Sequence, residues 1–346
     1  MLQCAYGPID QVDAAPESML GAVCFSPLSV PLSASGVPMV HVPMPALDVA
    51  GCTDASCEVW RTSGVLTYGQ HNAVQYGYNE HVLFGVLQLA EADFDTAAVR
   101  AAGKTPLQQA SETAYLALFE VLDVLHFPHI LRVWNYLADI NGNSHGTERY
   151  RQFNLGRQDG FLASGRAITG CVPAASAVGF VAGPLTIYFL AGRGAAPIAI
   201  ENPRQVSAYQ YPAAYGARSP TFSRASVVRL GERDVLFLSG TASIVGHETR
   251  HAGDVLAQTR ETVANIDAMV REANRVTPQA GFTLDDLCYK VYVRDEKDVA
   301  AIHAELRRLL GPAARLMFLR ADICRADLAM EIEASAGYRL DVAGVR

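Results

Sequence analysis

The feature that most constrains this chain is the order of elements from about Phe222 onward. VVRLGERDVLFLSGTASI reads as two strands joined at Gly231-Glu232-Arg233. GHETRHAG is a loop. Asp254 is placed to cap a helix that starts near Val255 and runs to about Arg275. Along it Val255, Thr259, Val263, Ile266, Met269 and Val270 recur at three- and four-residue steps. LCYKVYVRD alternates as a strand does. VAAIHAELRRLL is a second helix, stopped by Gly311-Pro312. RLMFLRAD and LAMEIEAS are two further strands. The order ββαβαββ builds a mixed sheet with its helices on one face, an α+β arrangement.

The first two hundred residues repeat this plan loosely. CEVWRTS, NAVQYGY and HVLFGVLQLAE read as strands. A helix follows Thr105-Pro106, with Leu107, Ala110, Ala114, Leu118, Val121 and Leu122 on one face. HILRVWNYLADI is a strand and ERYRQFNLGRQDGFLA a helix. AASAVGF and LTIYFLAG close the unit as strands. The chain is therefore expected to hold two related mixed sheets. The stretch 203–220, rich in Tyr, Pro and Ala, divides residues 1–205 from residues 206–346.

A chain of 346 residues with 50% hydrophobic and 18% charged residues is a compact globular protein. Its formal net charge of −7 argues against a nucleic-acid or anionic-membrane partner, although a few converging arginines can still hold an anion. No apolar run approaches the ~18 residues of a membrane span. MLQCAYGPIDQ does not read as a secretory signal, and seven scattered cysteines argue against a disulfide framework. A cytoplasmic location is expected. Nothing calls for a metal, nucleotide or flavin.

Two motifs carry less than they suggest. His247-Glu248-Thr249-Arg250-His251 spells HExxH, but zinc chemistry needs it on a helix, and here it precedes the helix start between Gly246 and Gly253. Cys52 and Cys57 lack a second pair at metal-binding spacing and read as two thiols of a surface loop.

Glu331 lies in LAMEIEA, an apolar strand, where desolvation raises a carboxyl pKa toward the range a general acid needs. Strand alternation puts Glu331 and Glu333 on one face with Ile332 opposite. The residues alone leave open whether this face meets a site or solvent. Gly240, Thr241, Ala242 and Ser243 follow a strand, where small residues let the backbone approach a ligand; a simple tight turn explains them too.

LFLSGTASI, the helix over 254–274, LDDLCYKVYVRDEKDVAAIHAEL and ICRADLAMEIEA together resemble the RidA/YjgF family. ERYRQFNLGRQDGF, YQYPAAYGARSPTFSRA, SGTASIVGH and CRADLAMEIE, in that order, resemble the chorismatases. That family joins a degenerate N-terminal half to a RidA-like half (a chorismate-mutase-like sheet in each) and removes the enolpyruvyl group of chorismate as pyruvate. The resemblance implies that Glu331 is the catalytic acid on the enolpyruvyl methylene. It implies arginines for the two substrate carboxylates, with Arg157 and Arg320 as the first candidates and Arg149, Arg151 and Arg224 behind them. Tyr150, Tyr211 and Tyr215 are candidates to hydrogen-bond the substrate or simply to pack. A cysteine at 324 is a feature of members that form hydroxybenzoates, and Ala242 with Cys324 points to a mixture of 3- and 4-hydroxybenzoate. A hydrolytic product, 3,4-dihydroxycyclohexa-1,5-diene carboxylate, and RidA-type imine deamination are the alternatives. RidA-type domains usually form trimers with sites between subunits. Two related halves can supply that pocket within one chain, so a monomer or small homo-oligomer is expected.

Overall fold

The computed structural model describes residues 2–8, 16–27, 36–49 and 56–342. Cys52 lies outside them.

The C-terminal sheet runs Ile198–Ile200, Ala225–Leu230, Arg233–Thr241, Met330–Ala336, Cys288–Val293, Arg315–Arg320. Its one parallel pair is Cys288–Val293 with Arg315–Arg320. Helices Val255–Val276 and Val299–Leu310 cover one face. Asp254 caps the first, its side chain accepting from the Ala257 N–H. Ile266, Met269, Ile302 and Leu306 pack there against Leu236, Leu238, Val291 and Ile332. Because side chains alternate across a strand, Ile332 facing the helices sends Glu331 and Glu333 to the opposite face.

The N-terminal sheet has the same order and sense, strand for strand: Thr67–His71, Val74–Tyr78, Val82–Leu89, Leu185–Gly192, His129–Ala138, Ala174–Phe180. Again one pair is parallel, His129–Ala138 with Ala174–Phe180. Helices Pro106–Val124 and Arg149–Ala163 take the places of the C-terminal pair. Ala110, Ala114 and Leu118 pack against Leu87, Val133 and Ile187. The matching topology bears out the internal repeat.

A third sheet was not foreseen. Arg339–Val342, Gln3–Gly7, Cys57–Arg61, Met19–Phe25 and Met39–Val42 form it in that order. CEVWRTS therefore belongs to this sheet and not to the N-terminal repeat, whose first strand is Thr67–His71. Cys57–Arg61 pairs with Gln3–Gly7 and Met19–Phe25, and the sheet ends on Arg339–Val342 from the other end of the chain, pairings that local periodicity does not register. Cys24 and Cys57 face each other across two of its strands and form a disulfide, contrary to the all-thiol expectation. Cys57 is buried in a strand rather than exposed in a loop.

The helix-free faces of the three sheets meet in one core. Leu20 and Trp60 from the third sheet join Phe84, Trp134 and Tyr188 from the N-terminal sheet and Phe237, Tyr292 and Met317 from the C-terminal one. Among the described residues no helix is long and apolar enough to cross a membrane.

Candidate active site

Between the two six-stranded sheets lies a cavity of about 220 Å³. Its floor is the helix-free face of the C-terminal sheet, with Gly240, Ala242 and Glu331. Ala175, Ser176 and Ala177 of the N-terminal sheet form the facing wall. Helix Arg149–Ala163 brings Tyr150 and Arg157, and the segment after the N-terminal sheet brings Tyr211, Tyr215 and Arg224. Cys324 and Arg325 come from the turn before the Glu331 strand.

Glu331 is 4% exposed. Burial and the neighbouring Glu333 push its carboxyl up to about 8, against a weaker pull from Arg132 and Arg224. It is a neutral acid at pH 7. Glu333, two residues on and 5% exposed, behaves oppositely. Burial alone would raise it, but Lys290, Arg132 and the Ser176 hydroxyl outweigh that and hold it below the usual carboxylate range. Two acids on one face thus have pKa values driven apart, the pattern of an acid beside a fixed charge.

Arg157 is 1% exposed and makes no ion pair among the described residues. Its Nη2 donates to Asn154 Oδ1 at 2.8 Å, and its Nε has no hydrogen-bond partner. Arg224 is also buried; its Nη2 donates to the Val206 carbonyl and to Tyr211 Oη, each at 2.8 Å, while its Nε is unpartnered. Arg325 lies over the Tyr215 ring at 4.3 Å and leaves Nη2 unpartnered. Buried guanidiniums without counter-charges are costly unless an anion completes them. The Cys324 thiol is pushed up to about 12 by burial and by Glu331, so it stays protonated and is no thiolate nucleophile. The Tyr150 hydroxyl is likewise raised by burial and stays neutral. The cavity therefore offers one neutral carboxylic acid and three arginines, Arg157, Arg224 and Arg325, that make no ion pair among the described residues, which suits proton transfer to a bound anion.

Residues 58–191 match the family model described as "Chorismatase FkbO/Hyg5-like, N-terminal". A "3-hydroxybenzoate synthase" of Streptomyces hygroscopicus is 34% identical over 329 residues, 91% of this chain and 91% of that protein. The chain belongs to the chorismatase family. A "Chorismatase" of Streptomyces rapamycinicus is 35% identical over 286 residues, 81% of this chain and 82% of that one. A crystal structure of a chorismatase superposes with a TM-score of 0.85 at 30% identity, covering 97% of this chain and 98% of the other.

In this chorismatase fold most residues singled out from the sequence gather at one place. Glu331, Cys324, Arg157, Tyr150, Tyr211, Tyr215, Gly240 and Ala242 all line the cavity. Arg320 does not line it. It ends the edge strand Arg315–Arg320, where its N–H donates to the Pro45 carbonyl and its charge bears on Asp295. Arg149 is tied up with Glu91, and Arg151, on the cavity wall, with Glu148. Arg224, a secondary candidate, takes the inner position. Arg325 and Ser176 were missed: an arginine in a turn and a serine in an apolar strand carry no periodic signal. The HExxH stretch forms no helix: Glu248–Thr249 is the second strand of a small hairpin with Ile244–Val245. His247 meets Tyr215 at 3.2 Å and His251 meets Glu261 at 3.3 Å, so the two rings have separate partners.

Proposed function

We propose that this chorismatase converts chorismate to pyruvate and 3-hydroxybenzoate, with 4-hydroxybenzoate as a second product. The observation that carries the reading is Glu331: a carboxyl kept neutral by burial and Glu333, on the wall of a cavity that also holds unneutralised Arg157. A vinyl ether breaks once its methylene carbon takes a proton, and a carboxylic acid protonated at neutral pH is the donor this requires. Arg157 and Arg224 are the partners for the substrate's carboxylates, and Arg325 is a third cation at the same cavity.

The proton from Glu331 leaves an oxocarbenium ion. The bond from ring carbon 3 to the ether oxygen then breaks, and its electron pair becomes part of the pyruvate carbonyl. The substrate's 4-hydroxyl oxygen bonds to carbon 3 and its proton returns to the Glu331 carboxylate. Opening of that three-membered ring with loss of a ring hydrogen aromatises the product. The retained oxygen ends on carbon 3 or carbon 4, giving 3- or 4-hydroxybenzoate. The products together contain the atoms of chorismate, with no net water. Ala242 and Cys324 line the cavity beside Glu331 and are the side chains proposed to bias the opening.

Incubation of the purified protein with chorismate, followed by chromatography, tests this. Pyruvate with an aromatic acid is the expected result. No pyruvate overturns the reading. A non-aromatic diol in place of hydroxybenzoate assigns the hydrolytic reaction instead.

A further inference from the structure

Beneath the cavity lies a second group of charges that the proton-transfer step does not touch. Glu333 Oε2 accepts from Arg132 Nη2 at 3.0 Å and from the Ser176 hydroxyl at 2.7 Å. Its Oε1 accepts from Trp134 Nε1 at 2.7 Å and meets Lys290 Nζ at 2.9 Å. Lys290 Nζ in turn reaches Glu58 Oε2 at 2.5 Å and donates to Tyr188 Oη at 3.0 Å. Glu58 Oε1 accepts from Trp60 Nε1 at 2.6 Å and from Tyr188 Oη at 3.2 Å. All three sheets contribute: Glu58 from the third, Arg132 from the N-terminal, Lys290 and Glu333 from the C-terminal. All four charged groups are almost fully buried.

The charges in this network cancel, two acids against two bases. Each acid is fully bonded to donors, and these hold Glu333 below the usual carboxylate range. Glu331 is a third acid on the same face and makes no ion pair among the described residues; Arg132 and Arg224 act on it more weakly than burial and Glu333. The groups around Glu331 are few. Glu333 shares its strand, and Tyr292 is its cross-strand partner. Arg132 faces it from the other sheet, Arg224 from the segment just before strand Ala225–Leu230, Tyr150 from the helix and Cys324 from the turn. Tyr292, Tyr150 and Cys324 are held neutral, Arg132 is bound to Glu333, and Arg224 to Val206 and Tyr211. The nearest acid bearing a fixed charge is Glu333.

We propose that Glu333, fixed as a carboxylate by Lys290 and Arg132, is the positioning residue that keeps Glu331 in its acid form, and that Glu58 completes the charge balance from the third sheet. This rests on reading Glu331 as the proton donor. It also gives the third sheet a role in the chemistry: without Glu58, Lys290 would carry an uncompensated charge toward Glu333. A second ionisation beside a fixed anion is opposed, which is why paired carboxylates titrate apart.

The test separates this from the assignment of the substrate, because it can be run on the ligand-free protein. Infrared difference spectra taken across pH identify the Glu331 carboxyl band as the one missing in Glu331→Gln. In the wild type that band should titrate about where Glu331 is placed, near 8. Titration in the ordinary range near ~4.3 overturns the proposal without any further variant. In Glu333→Gln the midpoint should fall by about one to two pH units. The alkaline limb of chorismate turnover should move with it. An unchanged or raised midpoint in folded Glu333→Gln overturns the proposal. Glu58→Gln, which leaves the cavity wall intact, should shift the midpoint in the same direction by less, and serves if Glu333→Gln does not fold. A protein that shows these shifts but releases no pyruvate would refute the proposed reaction and leave the charge relationship standing. A protein that turns chorismate over without the shifts would do the reverse.

Discussion

Gly240 and Glu331 compete for one volume: a β-carbon on residue 240 would stand 1.9 Å from Glu331 Oε1 and 3.3 Å from the Ser176 hydroxyl. The two residues lie on paired strands, where the register shifts between Leu238 and Thr241. Glycine at 240 is therefore a space requirement of the carboxyl group. Gly240→Ala should fold but displace the carboxyl, at a cost of about 100-fold in kcat/KM. Steady-state kinetics on chorismate with a thermal melt check both halves. Wild-type turnover in the variant would show that the carboxyl does not need this place.

Glu331→Gln should abolish turnover, since an amide cannot donate the proton. In the wild type, activity should fall as pH rises through about 8, where the acid ionises. The same shift has a stability consequence with a definite sign. The folded-state pKa lies above the unfolded one, so the unfolded chain releases this proton first as pH rises. Below the unfolded value, about 4.3, the group costs nothing; between there and about 8 it progressively destabilises the fold. Glu331→Gln should therefore melt higher than wild type at pH 8 and equally at pH 4. Melting curves at the two pH values decide it.

Arg157→Met removes a buried guanidinium that has no acidic partner. Loss of a charge-assisted carboxylate bond should lower kcat/KM about ten- to a hundred-fold. The fold should not weaken, because the charge is uncompensated without substrate. A drop in melting temperature with unchanged kinetics would assign Arg157 to the scaffold.

Cys324→Ala keeps a neutral, smaller side chain beside Glu331. The ratio of 3- to 4-hydroxybenzoate should change while total pyruvate release is largely kept. An unchanged ratio by chromatography would leave the thiol a packing role alone.

The Cys24–Cys57 disulfide closes a loop with a sequence separation of 33. Replacing both cysteines with alanine should cost about 3–4 kcal/mol, the loop entropy returned to the unfolded chain. Denaturant titration with and without reductant measures it; no difference would show that the pair is not oxidised in the protein.

Most strands and helices of the two six-stranded sheets were legible because each is a local pattern; the short edge strands Thr67–His71 and Ile198–Ile200 were not read. The alternation of LAMEIEA and LCYKVYVRD, and the three- and four-residue steps after Asp254, depend only on neighbours in the chain. The placement of Glu331 was legible for the same reason: its strand is apolar, and alternation fixed that it shares a face with Glu333; its role as the acid is a proposal that the resemblance suggested. Arg320 misled because FLRAD resembles a site strand from within, yet its place at the sheet edge is set by partners elsewhere. Arg325 escaped because a turn residue has no period.

Sequence alone determined the two ββαβαββ units and put Glu331 and Glu333 on one strand face; the resemblance, not the pattern, singled out Glu331. Tertiary structure alone decided the third sheet, since residues 3–7 pair with 57–61 and 339–342 only after the chain has closed on itself. It also decided what Glu331 and Glu333 each become. Two glutamates on one strand face are equivalent in a sequence. Burial between sheets, with Arg132, Lys290 and Ser176 all spent on one of them, leaves the other to hold its proton.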